Sequence, residues 1–383
     1  MSMQIKRYIV LVMALVVVAA GCGKKIAQPV SVLDSPEYHY KQGLKYLDKD
    51  QTDDAMREFE RAIALDAKSP LGYIGKGLAL GKKGEYKPAL EIMSKAKGLD
   101  KGIEAHIGMI RLYSMQRAKG WVAEAEDEFK AAQKKDANSA PLHYYMGMAY
   151  KVALDFDKAA NMFKTVLDMN KEFTGEANAE WAVIQKIQRA APGTEIGKKI
   201  ALIDKIDRAD VAALFDQEMN LEKLFTKRGT KTYDTTFKAP TESSTAMKTE
   251  TVTKMEAATD IADHWLKPSV DLVLKLQVRG LEAGPNHKFE PDKLITKGEF
   301  ALMLEDILIK VSGDEKLATK FLGATTPFPD IRNDQYFFSA AMTATSRGYL
   351  EADKATGEFK PGDPVSGADA LLSIRAFKDQ LKF

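Results

Sequence analysis

The feature that most restricts this chain is an alanine that returns at a nearly fixed interval: Ala55, Ala89, Ala125 and Ala159, separated by 34, 36 and 34 residues. Large residues keep the same step (Phe59, Met93, Phe129, Phe163), and so do the alanines Ala62, Ala96 and Ala132. Gly43, Gly77 and Gly147 form a further register, with Arg111 standing where the third unit would have its glycine. A unit of this length holds two helices and their turns and cannot bury its apolar face alone, so neighbouring units must stack. Small residues at constant offsets mark close helix crossings, and large ones fill the gaps beside them. The two extra residues of the third unit fall most simply in its turn, between Gln116 and Trp121.

These residues resemble the tetratricopeptide (TPR) pattern, and the resemblance implies four repeats over 35–172. The first begins at Ser35-Pro36, a cap residue with proline in the first helical turn. The resemblance also implies a superhelix whose concave face, lined by the first helix of each pair, takes a protein partner. Its inward positions carry over to Tyr40, Leu44 and Leu47, then Leu71, Ile74 and Leu78, then Leu112 and Met115, and finally Tyr144 and Met148. An apolar face of that extent calls for an occupant. In a register shifted by one face the same residues are ordinary core. No basic clamp for a peptide carboxylate stands out.

A second repeat lies nearer the C-terminus. Phe289-Glu-Pro-Asp-Lys-Leu-Ile-Thr returns 70 residues later as Phe359-Lys-Pro-Gly-Asp-Pro-Val-Ser. Each copy follows an aspartate start, Asp260-Ile or Asp330-Ile, and a helix-length run closing on Arg279-Gly or Arg347-Gly. Asp260 reads as the cap of that run, while Thr296 with Glu299 three residues on reads as a capping box at the next helix. Ser366 and Asp369 repeat the pair. This order resembles the S-layer homology (SLH) module, a cell-wall-binding unit, over 259–322 and 323–383. Ile206-Asp-Arg-Ala-Asp resembles its second helix again. Residues 173–225 are therefore either a degenerate first module, without the Phe-x-Pro segment, or a cap on the repeat array.

The fold class expected is all-α: a TPR helical solenoid, then a helical prism of two or three SLH-like modules, joined by a flexible Thr/Ser/Lys-rich linker at 226–258. In the SLH family an arginine after the cap reaches the anionic wall polymer. That position is Arg208, Lys297 and Gly367 in the three modules, so the resemblance implies one strong contact and one weaker, because lysine lacks the bidentate fork. Polymer-binding candidates by resemblance are Arg208, Asp210, Trp265, Thr296, Lys297, Glu299, Ser366 and Asp369. Thr296, Glu299, Ser366 and Asp369 are equally readable as pure caps, and Trp265 as either a sugar platform or a packed core residue.

At the other end, Lys6 and Arg7 precede an apolar run from Tyr8 to Ala20 and the string Ala19-Ala20-Gly21-Cys22. The run is too short to span a bilayer of roughly 30 Å as a helix, so residues 1–21 read as an export signal. The final string resembles a bacterial lipobox, which implies lipidation at Cys22, the sole cysteine, with 22–34 as a tether. Gly23 in place of aspartate implies, by the same resemblance, outer-membrane placement facing the periplasm.

The 56 basic residues include Lys6 and Arg7, leaving 54 against 54 acidic ones from Cys22 onward, a balance that gives no electrostatic case for nucleic acid. The five histidines are scattered, and no metalloprotease, nucleophile-elbow or phosphate-loop motif is present. The expectation is thus a non-enzyme with no cofactor and no metal, attached to membrane through Cys22, with a protein partner in the TPR groove and peptidoglycan or a wall polymer on the SLH modules. The rival expectation is a scaffold or assembly lipoprotein for an outer-membrane, secretion or pilus complex, without glycan binding.

Overall fold

The computed structural model describes residues 34–227 and 258–381, and among them the regular elements are helices only. Cys22, the export signal, the tether up to residue 33 and the linker from 228 to 257 lie outside the described residues. The chain divides into two compact units between Asn178 and Ala179.

The first unit is a helical solenoid of four pairs: α1 (Pro36–Asp48) with α2 (Thr52–Leu65), α3 (Pro70–Lys82) with α4 (Tyr86–Leu99), α5 (Glu104–Gln116) with α6 (Trp121–Gln133), and α7 (Ala140–Val152) with α8 (Phe156–Met169). Ser35 caps α1 and Ser139 caps α7 through side-chain oxygens that accept from Tyr38 N and Leu142 N, each with proline in the first turn. The periodic alanines Ala55, Ala89, Ala125 and Ala159 are fully buried at the crossings. A Cβ built on Gly43 would stand 2.6 Å from Phe59 Cζ, and one on Gly147 2.7 Å from Phe163 Cε1, so the aromatic ring of each second helix fills the space a side chain would need. In the third pair Arg111 occupies that position, and Phe129 is left half-buried where Phe59, Met93 and Phe163 are fully enclosed. The two extra residues of this pair sit between α5 and α6, where Arg117 and Gly120 both take left-handed backbone.

The second unit begins within α9 (Thr174–Ala190) and continues through α10 (Glu195–Ile200), α11 (Arg208–Gln217), α12 (Leu221–Lys227), α13 (Lys267–Lys275), α14 (Lys297–Ser312), a 3₁₀ turn (Glu315–Thr319), α15 (Phe338–Ser346) and α16 (Gly367–Gln380). Helices α11, α14 and α16 are related positions in three successive helix pairs. The extended residues just ahead of them meet in a closed ring of backbone hydrogen bonds: Ile206 N donates to Val365 O (2.9 Å), Val365 N to Ile295 O (3.1 Å), and Ile295 N to Ile206 O (3.1 Å). Ile206, Ile295 and Val365 are buried there, so each N–H and C=O in the ring finds its partner in the neighbouring pair instead of in water.

Asp260 is not a helix cap. Helix α13 starts later, at Lys267, and the Asp260 carboxylate accepts from Phe289 N and Glu290 N, both at 2.8 Å. Asp330 does the same for Phe359 N (2.9 Å) and Lys360 N (2.6 Å). The residue between Phe and Pro in each copy, Glu290 and Lys360, has positive φ, and the aspartate holds that turn of backbone in place. Burial works against the charge on Asp260, but its backbone donors keep the carboxyl below the ordinary aspartate value.

Candidate functional site

The three related helices α11, α14 and α16 each place their first residue at a joint with another helix pair. Backbone bonds pin all three: Arg208 N to Lys293 O (3.0 Å), Lys297 N to Asp363 O (2.8 Å) and Gly367 N to Ile203 O (2.9 Å). What the side chain does at each joint differs.

Arg208 is committed to the protein. Its guanidinium donates from Nε to Phe289 O (2.7 Å), from Nη1 to Gly280 O (2.6 Å) and from Nη2 to Glu282 O (2.8 Å), and it lies 4.7 Å from the centre of the Phe289 ring. It is a strut between helix pairs, and three donors aimed at carbonyls leave little for an anion.

Lys297 sits at the equivalent joint with less in hand. Its Nζ donates to Glu351 O (2.6 Å) and lies 4.6 Å from the Phe359 ring centre. Burial lowers this amine from its ordinary value, against the pull of Asp369, Asp363 and Asp330. The side chain faces a cavity of about 660 Å³ whose lining carries five cations, Lys186, Arg189, Lys297, Lys354 and Lys360, and three carboxylates, Glu351, Asp363 and Asp369. Lys186 pairs with Asp369 Oδ1 (2.8 Å) and Lys360 with Asp353 (2.8 Å). The Arg189 guanidinium has no acceptor among the described residues. Tyr349 is also in the lining, with its hydroxyl buried and Arg347 beside it. A groove with surplus cations suits an anionic ligand.

The third joint is closed. A Cβ on Gly367 would overlap the carbonyl oxygen of Ile200 and stand 2.6 Å from its carbon, so the end of α10 fills the place from which an arginine would extend. The segment between α9 and α11 has no Phe-x-Pro stretch, and α10 takes its room.

The other residues singled out from the sequence fall into groups. Thr296 and Glu299 form a complete capping box, and Thr296 Oγ1 also donates to Glu299 Oε2 (3.0 Å). Ser366 caps α16, with Oγ donating to Asp369 Oδ2 (2.6 Å), while the other oxygen of Asp369 faces the cavity through Lys186. Asp210 is buried and closes a capping box with Asp207. Trp265 is 62% exposed, and Tyr336, at the matching position ahead of α15, is 71% exposed, so both rings offer faces to solvent. In the solenoid, Leu47, Ile74, Leu78 and Leu112 are buried in the packing between helices, whereas Tyr40, Leu44, Tyr144 and Met148 are half-buried. Burial pushes the Tyr40 phenol up to about 12, with Arg111, Tyr145 and Glu104 close enough to act on it. Arg111 in turn lies 4.5 Å from the Tyr145 ring centre. Sequence reasoning passed over Lys186, Arg189, Lys354 and Lys360, which look like ordinary surface cations and come together only through the tertiary fold.

Among the described residues there is no cluster of side chains suited to a metal ion, and no helix is long and apolar enough to cross a membrane.

A helical solenoid followed by helix pairs joined through a shared ring of backbone bonds defines a repeat-built protein. Residues 327–371 match the S-layer homology domain. That stretch runs from Pro327, ahead of Asp330, to Leu371 in α16, and so covers the Lys297-facing side of the cavity. The match associates the chain with the cell envelope. No curated protein matches the chain.

Proposed function

We propose that this protein is a lipid-anchored envelope tether: held to the membrane at Cys22, touching peptidoglycan or an attached wall polymer with its second unit, and recruiting a protein partner to the concave face of a TPR-type solenoid. The observation that carries the polymer contact is the 660 Å³ cavity, with Lys297 and Arg189 in its lining beside the matched SLH residues. Arg189 supplies the planar fork that position 297 lacks, and does so from a different helix. Lys186 and Ser366 position Asp369, and the exposed Trp265 and Tyr336 rings supply faces on which a sugar can stack. Two attachment points raise the effective concentration of the second, so a weak polymer contact suffices to hold. For the solenoid, the half-buried Tyr40, Leu44, Tyr144 and Met148 supply apolar surface to a partner.

The test is co-sedimentation of the soluble protein, lacking residues 1–22, with purified peptidoglycan sacculi. Parent protein pellets with the sacculi, and the Lys297→Ala, Arg189→Ala double variant loses at least tenfold in retention. Equal retention of the two sinks the polymer reading. The lipid anchor is checked separately: inhibiting lipoprotein signal peptidase leads to accumulation of an unprocessed precursor, and an unchanged processing pattern removes Cys22 from the account.

One observation favours the scaffold reading, an assembly lipoprotein without glycan binding. Of the three joints, one has its arginine tied to backbone carbonyls and one is filled by α10, which leaves a single open groove. Loss of sacculus binding together with retention of a protein partner on the solenoid supports that alternative.

A further inference from the structure

The third helix pair of the solenoid breaks a packing rule that the other three keep. In those, a glycine on the first helix leaves room for a large side chain of the second: Phe59 beside Gly43, Met93 beside Gly77, Phe163 beside Gly147. Arg111 takes the glycine's place in the third pair, and Phe129, the ring that belongs there, is left half-buried and edge-on to His143, with centroids 5.3 Å apart. The exchange costs apolar burial, and no ion pair inside the chain offsets it. The Arg111 guanidinium lies 4.5 Å from the centre of the Tyr145 ring and has neither a carboxylate nor a hydrogen-bond acceptor among the described residues. Glu104, two turns earlier on the same helix, commits Oε2 to Ile103 N (3.1 Å). A side chain that breaks a repeated rule without compensation nearby marks a place that something outside the chain completes.

Two phenols share this space. Tyr40 is on α1 and Tyr145 on α7, yet Arg111 and Tyr145 both act on the Tyr40 phenol, which requires the first helices to curve toward one another around a common concavity. Both tyrosines are half-buried, and neither hydroxyl has a hydrogen-bond acceptor among the described residues. The concavity thus gathers a planar guanidinium fork and two O–H donors, none of them used inside the chain. Partly sheltered from water, such a group favours a carboxylate, which takes two N–H bonds from the fork. Leu44, one turn beyond Tyr40, and Met148, one turn beyond Tyr145, are half-buried apolar residues in pairs on either side of the third. A ligand that reaches Arg111 therefore meets apolar surface before and after it. That suits an acidic side chain in the middle of an extended segment and not a chain terminus.

We propose that the solenoid binds an extended segment of a partner protein through an internal Asp or Glu side chain, held by Arg111 and the Tyr40 and Tyr145 hydroxyls, with apolar residues of that segment on Leu44 and Met148. This rests on the solenoid's role as a partner-binding surface and adds the chemistry of the partner.

The test pans a phage-displayed library of random peptides, fused so that none has a free C-terminus, on the full soluble chain lacking residues 1–22. Enriched peptides carry an acidic residue with apolar neighbours on both sides. A synthetic peptide from that set, blocked at both ends, binds the parent at least about tenfold more tightly than its counterpart with the acid replaced by the amide. Arg111→Gln, and the Tyr40→Phe, Tyr145→Phe double variant, bring the two peptides to within about twofold of each other. Arg111→Gly, which restores the residue of the other three pairs and room for Phe129, keeps the helical circular dichroism of the parent and shows the same indifference. Equal affinity of the parent for acid and amide peptides, or an acid preference that survives the Arg111 substitutions, overturns the carboxylate site while leaving the solenoid a partner surface. A preference for a free C-terminal carboxylate over the blocked peptide overturns the internal side chain. No enrichment above an unrelated protein removes the partner-binding role and this site with it.

Discussion

Replacing Gly367 by alanine tests the closed third joint. The added Cβ would lie 2.6 Å from the Ile200 carbonyl carbon, against an ordinary contact of about 3.5 Å, so roughly 1 Å of movement is needed. Ile200 is buried at the end of α10 and has no free direction in which to retreat. Movement of that segment stretches Gly367 N to Ile203 O and Ile206 N to Val365 O, both 2.9 Å. Two weakened backbone bonds contribute about 1 kcal/mol each. Overpacking adds about 1–3 kcal/mol. Removing a helical glycine returns about 0.5–1 kcal/mol. The net loss is about 2–4 kcal/mol. Urea unfolding followed by tryptophan emission measures it, since Trp181 and Trp265 both belong to the second unit. Gly298→Ala is the matched control, with its Cβ 3.2 Å from Pro361 O, and stays within about 1 kcal/mol of the parent. Gly367→Arg, although it installs the residue expected by resemblance, destabilises at least as much as alanine. A Gly367→Ala loss below about 0.5 kcal/mol would refute the blocked joint.

Two further substitutions test the packing. Arg208→Ala removes three charge-assisted bonds to carbonyls and costs about 3 kcal/mol by urea unfolding, with Arg208→Lys recovering about a third because one ammonium cannot reach all three acceptors. In the solenoid, Gly147→Ala drives a methyl toward the buried Phe163 ring and lowers stability by about 1–3 kcal/mol, seen in thermal unfolding followed by circular dichroism.

Much of the helical layout was legible because it depends on local chemistry repeated at intervals. The alanine register located the crossings, the Ser35-Pro36 step located the first helix start, and the two extra residues fell in the turn between Gln116 and Trp121. The Thr296-Glu299 box is visible in sequence since both partners lie three residues apart on one turn. Asp260 was harder. An aspartate ahead of a helical run looks like a cap, but its acceptors were claimed by backbone N–H groups 29 and 30 residues away, on a stretch with positive φ that nothing local announces. Arg208 shows the same limit. Its residue type suggests an anion, and its surroundings supply three carbonyls.

The sequence by itself determined that this chain is built from stacked helix pairs of two kinds, because periodic small and large residues leave no other way to bury the apolar faces. It also marked the positions from which polymer contacts would come in a related module. Only the tertiary structure decided which of those positions is open. A groove is made by side chains from distant segments, and whether Arg208 is tied down, Lys297 faces a cavity with Arg189, or Gly367 meets a neighbouring carbonyl depends on backbone brought close by the ring of Ile206, Ile295 and Val365.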